Sequence, residues 1–172
     1  MLREYALLAD GERGIVVGPR GDCCWMCMPS WDSPAVFASL LGGGGVYGVA
    51  PHHPSYVWGG HYEKGSLIWR SRWVTTGGIV ECREALAFPG DPHIAVILRR
   101  IRALDETMRM RVMLDVRAQF GTERMHDLSC DDGVWTGRSG PHRFRWAGAT
   151  KAQRGDDGSL QMIIDVAPGH DH

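Results

Sequence analysis

Residues 108–118 read MRMRVMLDVRA, and this segment alternates with a period of two. Met108, Met110, Val112, Leu114, Val116 and Ala118 fall on one face. Arg109, Arg111, Asp115 and Arg117 fall on the other, with Met113 the exception. A helix brings together residues three and four apart, so a sustained period of two specifies a strand with one buried and one solvated face.

The same reading extends outward along the chain. Residues 4–9 and 14–17 are expected as short strands around the turn signal Asp10-Gly11. Residues 23–28 carry no charge, which suits a strand buried on both faces. Residues 46–50 are another strand, followed by a loop at Pro51-His52-His53-Pro54. Residues 66–75 and 79–86 form a hairpin about Thr76-Gly77-Gly78, with Leu67, Trp69 and Trp73 on one face and Arg70 and Arg72 on the other. Residues 94–102, 128–130, 134–138, 143–147 and 160–166 are further strands, separated by turns rich in Gly, Asp, Ser and Pro. One segment reads as helical. Ser33 serves as N-cap, Pro34 takes the first helical position, residues 35–41 give two apolar turns, and Gly42 to Gly45 end them. Many closely spaced strands and a single helix predict an all-β fold, an antiparallel super β-sandwich with one short α-helix.

A chain of 172 residues suggests one domain with a substantial core. A net charge of −1 gives no electrostatic footprint for nucleic acid, and no apolar run reaches the roughly 20 residues of a membrane helix. The N-terminus MLREYALLADGE carries early acids and lacks the apolar core of a secretory signal, so a cytoplasmic location is expected. Five cysteines, an odd number, suit free thiols in a reducing compartment. Cys24-x-x-Cys27 is not expected to bind metal, because residues three apart in a strand point to opposite faces.

Residues 21–45, GDCCWMCMPSWDSPAVFASLLGGGG, carry a resemblance. They resemble the start of bacterial glucoamylase and trehalase-like enzymes of glycoside hydrolase family 15, whose N-terminal domain reads D-G-S-I-D-W-L-C-x-P-R-F-D-S-P-A-V-F-A-x-L-L. Gly21, Trp25, Cys27, Pro29, Asp32, Ser33, Pro34, Ala35, Val36, Phe37, Ala38, Leu40 and Leu41 match in register. Cys24, Ser30 and Trp31 depart from the family's Asp, Arg and Phe. The opening Tyr5-Ala6-Leu7-Leu8-Ala9-Asp10-Gly11 resembles Y-A-L-I-G-D-G, and Arg99-Arg100-Ile101 resembles part of L-V-R-R-V.

The resemblance implies a non-catalytic N-terminal sandwich domain spanning residues 1–172 and cut short before its last strands. It further implies that the domain packs on a helical (α/α)6 catalytic barrel, absent from this chain, and shapes the rim of its active site. The parent enzyme would hydrolyse α-glucosidic bonds, of trehalose or at a non-reducing end, with inversion. Trp25, Pro29, Trp31, Asp32 and Phe37 are the candidates for the interface or substrate rim. The departures at Cys24 and Ser30 bear on substrate contact, since the family's Asp and Arg are polar.

Other chemistries are weighed on the residues themselves. Inverting hydrolysis needs two carboxyl groups about 6.5–9.5 Å apart. Glu81 and Glu84, the best-paired acids, lie at odd spacing in a strand and face opposite ways, so no catalytic carboxylate is assigned. His52-His53 and His170-Asp171-His172 do not match metalloenzyme spacing, so neither metal nor cofactor is expected. The Arg-Gly-Asp triplet at 20–22 reads as a tight turn. Seven tryptophans suit stacking on sugar rings as well as core packing. Trp69 and Trp73 read as core and Trp31 as an interface or site lip. Trp58 to His61 leaves both an exposed aromatic loop and a packed position open. The alternative reading is a stand-alone carbohydrate-binding β-sandwich, and a metal-dependent β-barrel enzyme is a further rival. Residues 170–172 read as the beginning of another strand. Its absence would leave an exposed sheet edge and favour homo-oligomers.

Overall fold

The computed structural model describes residues 4–88 and 91–172. The chain forms fifteen strands in these residues: β1 Ala6–Ala9, β2 Gly14–Val17, β3 Asp22–Cys27, β4 Ala35–Phe37, β5 Val46–Pro51, β6 Val57–Tyr62, β7 Trp69–Thr75, β8 Gly78–Ala87, β9 Val96–Ala103, β10 Met108–Asp115, β11 His126–Asp131, β12 Val134–Ser139, β13 His142–Trp146, β14 Gln153–Arg154 and β15 Leu160–Val166. One sheet has the order β1-β2-β3-β5-β10-β15-β14, with β4 added on β3. A second has the order β6-β7-β8-β9, and β11-β12-β13 form a third. Every pairing is antiparallel, and the arrangement is sandwich-like, as the strand patterning predicts.

The core lies between the first two sheets. From the first come Leu8, Ile15, Val17, Cys23, Met26, Val49, Met110, Val112 and the inward face of β15. From the second come Trp69, Trp73, Val80, Cys82, Leu86 and Ile101, while Trp146 of β13 closes one end. The alternation of residues 108–114 holds, with Met108, Met110, Val112 and Leu114 buried and Arg109 and Arg111 exposed. Trp69 and Trp73 are core residues, as their shared face predicts.

The helix is misplaced by the sequence reading. Residues 35–41 are not helical: Ala35–Phe37 pairs with β3, Met26 opposite Phe37 and Cys27 opposite Ala35. A single 3-10 turn, Ser39–Leu41, follows. Ala35, Val36, Phe37 and Ala38 are all buried, and a short apolar run buried on every side has no period to separate helix from strand. Ser33 does not cap a helix; it belongs to the loop between β3 and β4, where its N–H donates to Ser30 O at 3.1 Å. The glycine stop is correct, since Gly42 ends the 3-10 turn at φ 82°. The short helical element of the fold is Ala118–Gly121 instead, a tight turn in which Gln119 and Phe120 have positive φ. Residues 58–61 are also not a loop but part of β6, and Trp58 packs against the core.

Polar groups help to fasten the sandwich. At its edge, the Tyr62 hydroxyl of β6 accepts from Leu7 N–H at 2.7 Å and donates to Leu7 O at 3.1 Å, joining the two sheets across the free side of β1. Inside, Arg99 Nη2 donates to Glu84 Oε1 at 2.6 Å and to Gly21 O at 2.7 Å, and Nη1 donates to Tyr47 O at 2.7 Å. The two side chains are 2% and 0% exposed, so this ion pair holds the second sheet to the backbone of the first from within.

Candidate functional site

The loop between β3 and β4 carries the candidate residues Pro29, Trp31 and Asp32. Its shape comes from its own hydroxyls. Ser30 Oγ donates to Asp32 Oδ1 at 2.6 Å and lies 3.0 Å from Ser33 Oγ, and Ser30 N–H donates to Ser33 Oγ at 3.2 Å. The bond from Ser30 holds the Asp32 carboxyl below its ordinary range, so Asp32 is anionic at neutral pH. The peptide between Met28 and Pro29 is cis. This network ties down the loop backbone and leaves the side chains of Pro29, Trp31 and Asp32 outside.

Trp31 is 51% exposed. One side of its ring rests on Gly14 of β2, where any Cβ would overlap the ring. The indole is therefore braced on the backbone and offers its remaining surface to whatever docks there. Large exposed aromatic area on a fixed loop is the usual form of an anchor at an interface or a stacking platform for a sugar.

Trp25 sits apart from this loop, on the outward side of β3. It is half-buried over Cys27, Ala35 and Ala38, and its ring lies 6.3 Å from that of Phe120. Phe120 is 52% exposed and Leu41 76% exposed. The turn carrying Phe120 packs on the glycine run after β4, because Gly121 and Gly44 meet without side chains. Exposed apolar side chains near this hairpin therefore include Trp31 on its loop, Leu41 after β4, and Phe120 beside Trp25. Phe37 is not among them; this side chain is 3% exposed and points into the core. Phe120 was missed in the sequence because it lies far along the chain from Trp25, between β10 and β11, and no local signal marks it.

The acids do not form a hydrolytic pair. Glu84 is inside, with Ser71 Oγ donating to it at 2.9 Å as well as Arg99 at 2.6 Å. Burial pushes its carboxyl above the ordinary range, against the opposing pull of Arg99 and Ser71. Glu81 is outside, 3.1 Å from Arg70 and 3.6 Å from Arg72. Among the described residues no three His, Cys, Asp or Glu side chains converge as metal ligands. Cys23, Cys24 and Cys27 are buried thiols, and burial pushes both Cys23 and Cys24 up to about 12, so they are unreactive at neutral pH. No helix among the described residues is long and apolar enough to cross a membrane.

Residues 2–161 match the family described as trehalase-like, N-terminal. Among curated proteins, the chain is 35% identical over 86 residues to a trehalase of Mycobacterium tuberculosis and 34% identical over 86 residues to a trehalase of Mycolicibacterium smegmatis. Each match covers 49% of this chain and 13% of the trehalase. No solved structure matches.

Proposed function

The chain belongs to the family of trehalase-like N-terminal domains, and we propose that it is the non-catalytic N-terminal domain of a longer glycoside hydrolase. In this reading it packs on an (α/α)6 catalytic barrel and shapes the rim of that barrel's active site. The observation that carries the proposal is the family match over residues 2–161, combined with a relationship to trehalases that involves only 13% of their length. The separation of Glu81 and Glu84 onto opposite sides of the second sheet supports a chain without hydrolytic chemistry of its own.

Pro29, Trp31 and Asp32 are the residues proposed to meet the barrel or the substrate rim, with half-buried Trp25 a separate candidate on β3 and Phe37 supporting the hairpin from within. The parent enzyme acts on an α-glucosidic bond, of trehalose or a related α-glucoside, with inversion of the anomeric centre. That chemistry requires an acid and a base on opposite sides of the sugar, and both belong to the barrel. A cytoplasmic site of action fits five free cysteines, four of them buried.

The test is hydrolysis of trehalose, maltose and an aryl α-glucoside by residues 1–172 alone and by the longer protein, with the product anomer read by NMR. Turnover only in the longer protein, giving the inverted anomer, is expected. Turnover by residues 1–172 that a point substitution within them abolishes would overturn the proposal. Tight sugar binding by residues 1–172 alone, lost in Trp31→Ala, would favour the carbohydrate-binding sandwich.

A further inference from the structure

We infer that the small cavity between Arg99 and His172, at one end of the sandwich, is a binding site for one monovalent anion of halide size. The inference stands apart from the reading of this chain as the first domain of a longer protein.

The cavity measures about 80 Å³. Arg99 of β9 and Tyr47 of β5 are the polar part of its inner wall, and Val49, Val112 and Met162 are among the apolar side chains that complete it. Gly148 and His172 also line it and are exposed, so the mouth lies between them. His172 is held there by its main chain, which exchanges hydrogen bonds with Ile101 at 2.8 and 3.0 Å.

Unspent hydrogen-bonding capacity decides the kind of ligand. Arg99 Nη1 donates to Tyr47 O, and Nη2 donates to Gly21 O and Glu84. The Nε–H of the same side chain, which is 2% exposed, meets no acceptor among the described residues. The Tyr47 hydroxyl accepts from Trp146 Nε1 at 3.3 Å, and its own proton has no acceptor among the described residues. The guanidinium carbon lies 4.6 Å from the centre of the Tyr47 ring, so the two groups are neighbours. Buried donors without acceptors are costly and uncommon. Both free groups here are donors beside a positive charge, and the side chains of Val49, Val112 and Met162 offer no oxygen or nitrogen acceptor. Water brings two protons that this inner wall does not accept, whereas an anion brings none.

Size and charge narrow the class. A water molecule takes about 30 Å³ in the liquid, so the space holds roughly two or three particles of that size. It admits a halide and excludes a pyranose ring. Glu84 already offsets the Arg99 charge at 2.6 Å, so a second negative charge on the ligand would be left uncompensated in a buried place. The entrance favours an anion. Desolvation holds the His172 imidazole below its ordinary range, against a hydrogen bond to the Gly148 backbone, and the nearby Lys151 ammonium lowers it further. The Asp171 carboxylate lies instead 3.5 Å from the exposed Arg100 on the outer side of β9. An anion bound by Arg99 and Tyr47 would tie β9 of the second sheet to β5 of the first.

The experiment uses residues 1–172 with sodium chloride as the probe. Sodium gluconate, whose anion is too large for the cavity, is the reference at equal ionic strength. The melting temperature should rise in chloride relative to gluconate along the logarithmic curve of a single site. The chlorine NMR line should broaden with protein and narrow again when bromide competes. Tyr47→Phe keeps the ring beside Arg99 and removes one donor, so it should weaken chloride about 10-fold or more. Arg143→Ala, at an exposed arginine outside the cavity, should leave chloride binding unchanged. A crystal grown in bromide should show the anomalous peak of the ion against Arg99 and Tyr47, a result that needs no variant to fold. Equal melting in chloride and gluconate would overturn the inference. So would broadening that survives Tyr47→Phe and is lost in Arg143→Ala, which would mark surface ions, or a bromide crystal with only water in the cavity.

Discussion

Arg99 and Glu84 show how much a single pair fixes. Buried ion pairs are costly to assemble, and removing one partner strands the other. Here Arg99 also satisfies the carbonyls of Gly21 and Tyr47, two points on the opposite sheet. Arg99→Ala is therefore expected to cost about 3–5 kcal/mol in urea unfolding. A loss below about 1 kcal/mol would show that water replaces the guanidinium. Glu84 was visible in the sequence as a paired or solvated acid, but its partner was not. The register puts Glu84 directly opposite Arg99 and Ala87 opposite Val96, whereas a turn confined to residues 87–92 would set Glu84 opposite Ala95. Glu63 makes a second, surface case. Hydrogen bonds from Arg83 and Arg70, at 2.6–2.8 Å, bring its carboxyl down to about 2 from 4.5. A carboxyl lowered by folding adds stability that is fully present above the unfolded value and lost as pH falls through the folded one. Glu63→Gln should thus lower the melting temperature at pH 7, and by progressively less as pH falls from about 4.5 towards 2. Equal effects at the two ends of this range would refute the linkage.

At the scale of elements, legibility followed periodicity. The segment 108–118 could be read because one face is core and the other is water, and the strand is where the period put it as far as Asp115. The segment 35–41 could not, since apolar residues on all sides leave no period, and the capping signals Ser33 and Pro34 serve a hairpin loop equally well. β6 was hidden by Gly59-Gly60, which left an exposed aromatic loop as an open reading of residues 58–61. Gly60 is there because a Cβ would overlap the Trp69 indole. Glycines therefore separate into two kinds, and substitution distinguishes them. Gly21 has φ 68°, and a Cβ there would overlap Val49 O and press on the buried Trp73 ring. Backbone and core cannot give way, so Gly21→Ala should cost about 2 kcal/mol or more. Gly14 meets only the exposed Trp31 ring, which can swing aside. Gly14→Ala should cost under about 1 kcal/mol while shifting Trp31 fluorescence toward the solvated position. Equal costs at the two sites would mean that Trp31 is held more rigidly than its exposure indicates.

Across the whole molecule, the class of fold was legible, but the order of strands was not. Sheet order depends on pairings such as β5 with β10 and β10 with β15, which join residues far apart in the chain and leave no local trace. The candidate surface divides in the same way. The loop residues Pro29, Trp31 and Asp32 were identifiable together because one loop carries them, whereas Trp25 reaches Phe120 only through the fold. This gives Trp31 a distinct signature. Emptying a core aromatic site costs about 3–5 kcal/mol, through lost transfer energy and an unfilled cavity. Trp31 is half in water, and its removal leaves no cavity but an uncovered Gly14. Trp31→Ala should consequently destabilise residues 1–172 by much less than a core truncation. In the longer protein it should weaken association between this domain and the remainder, measured by mixing separately purified halves in calorimetry. The two measurements answer different questions. A core-sized loss of stability in residues 1–172 would place Trp31 among the residues that hold the sandwich together. Unchanged association between the halves, with stability little altered, would move the interface off this loop and onto other exposed apolar surface, such as Leu98 and Val96 on the outer face of β9.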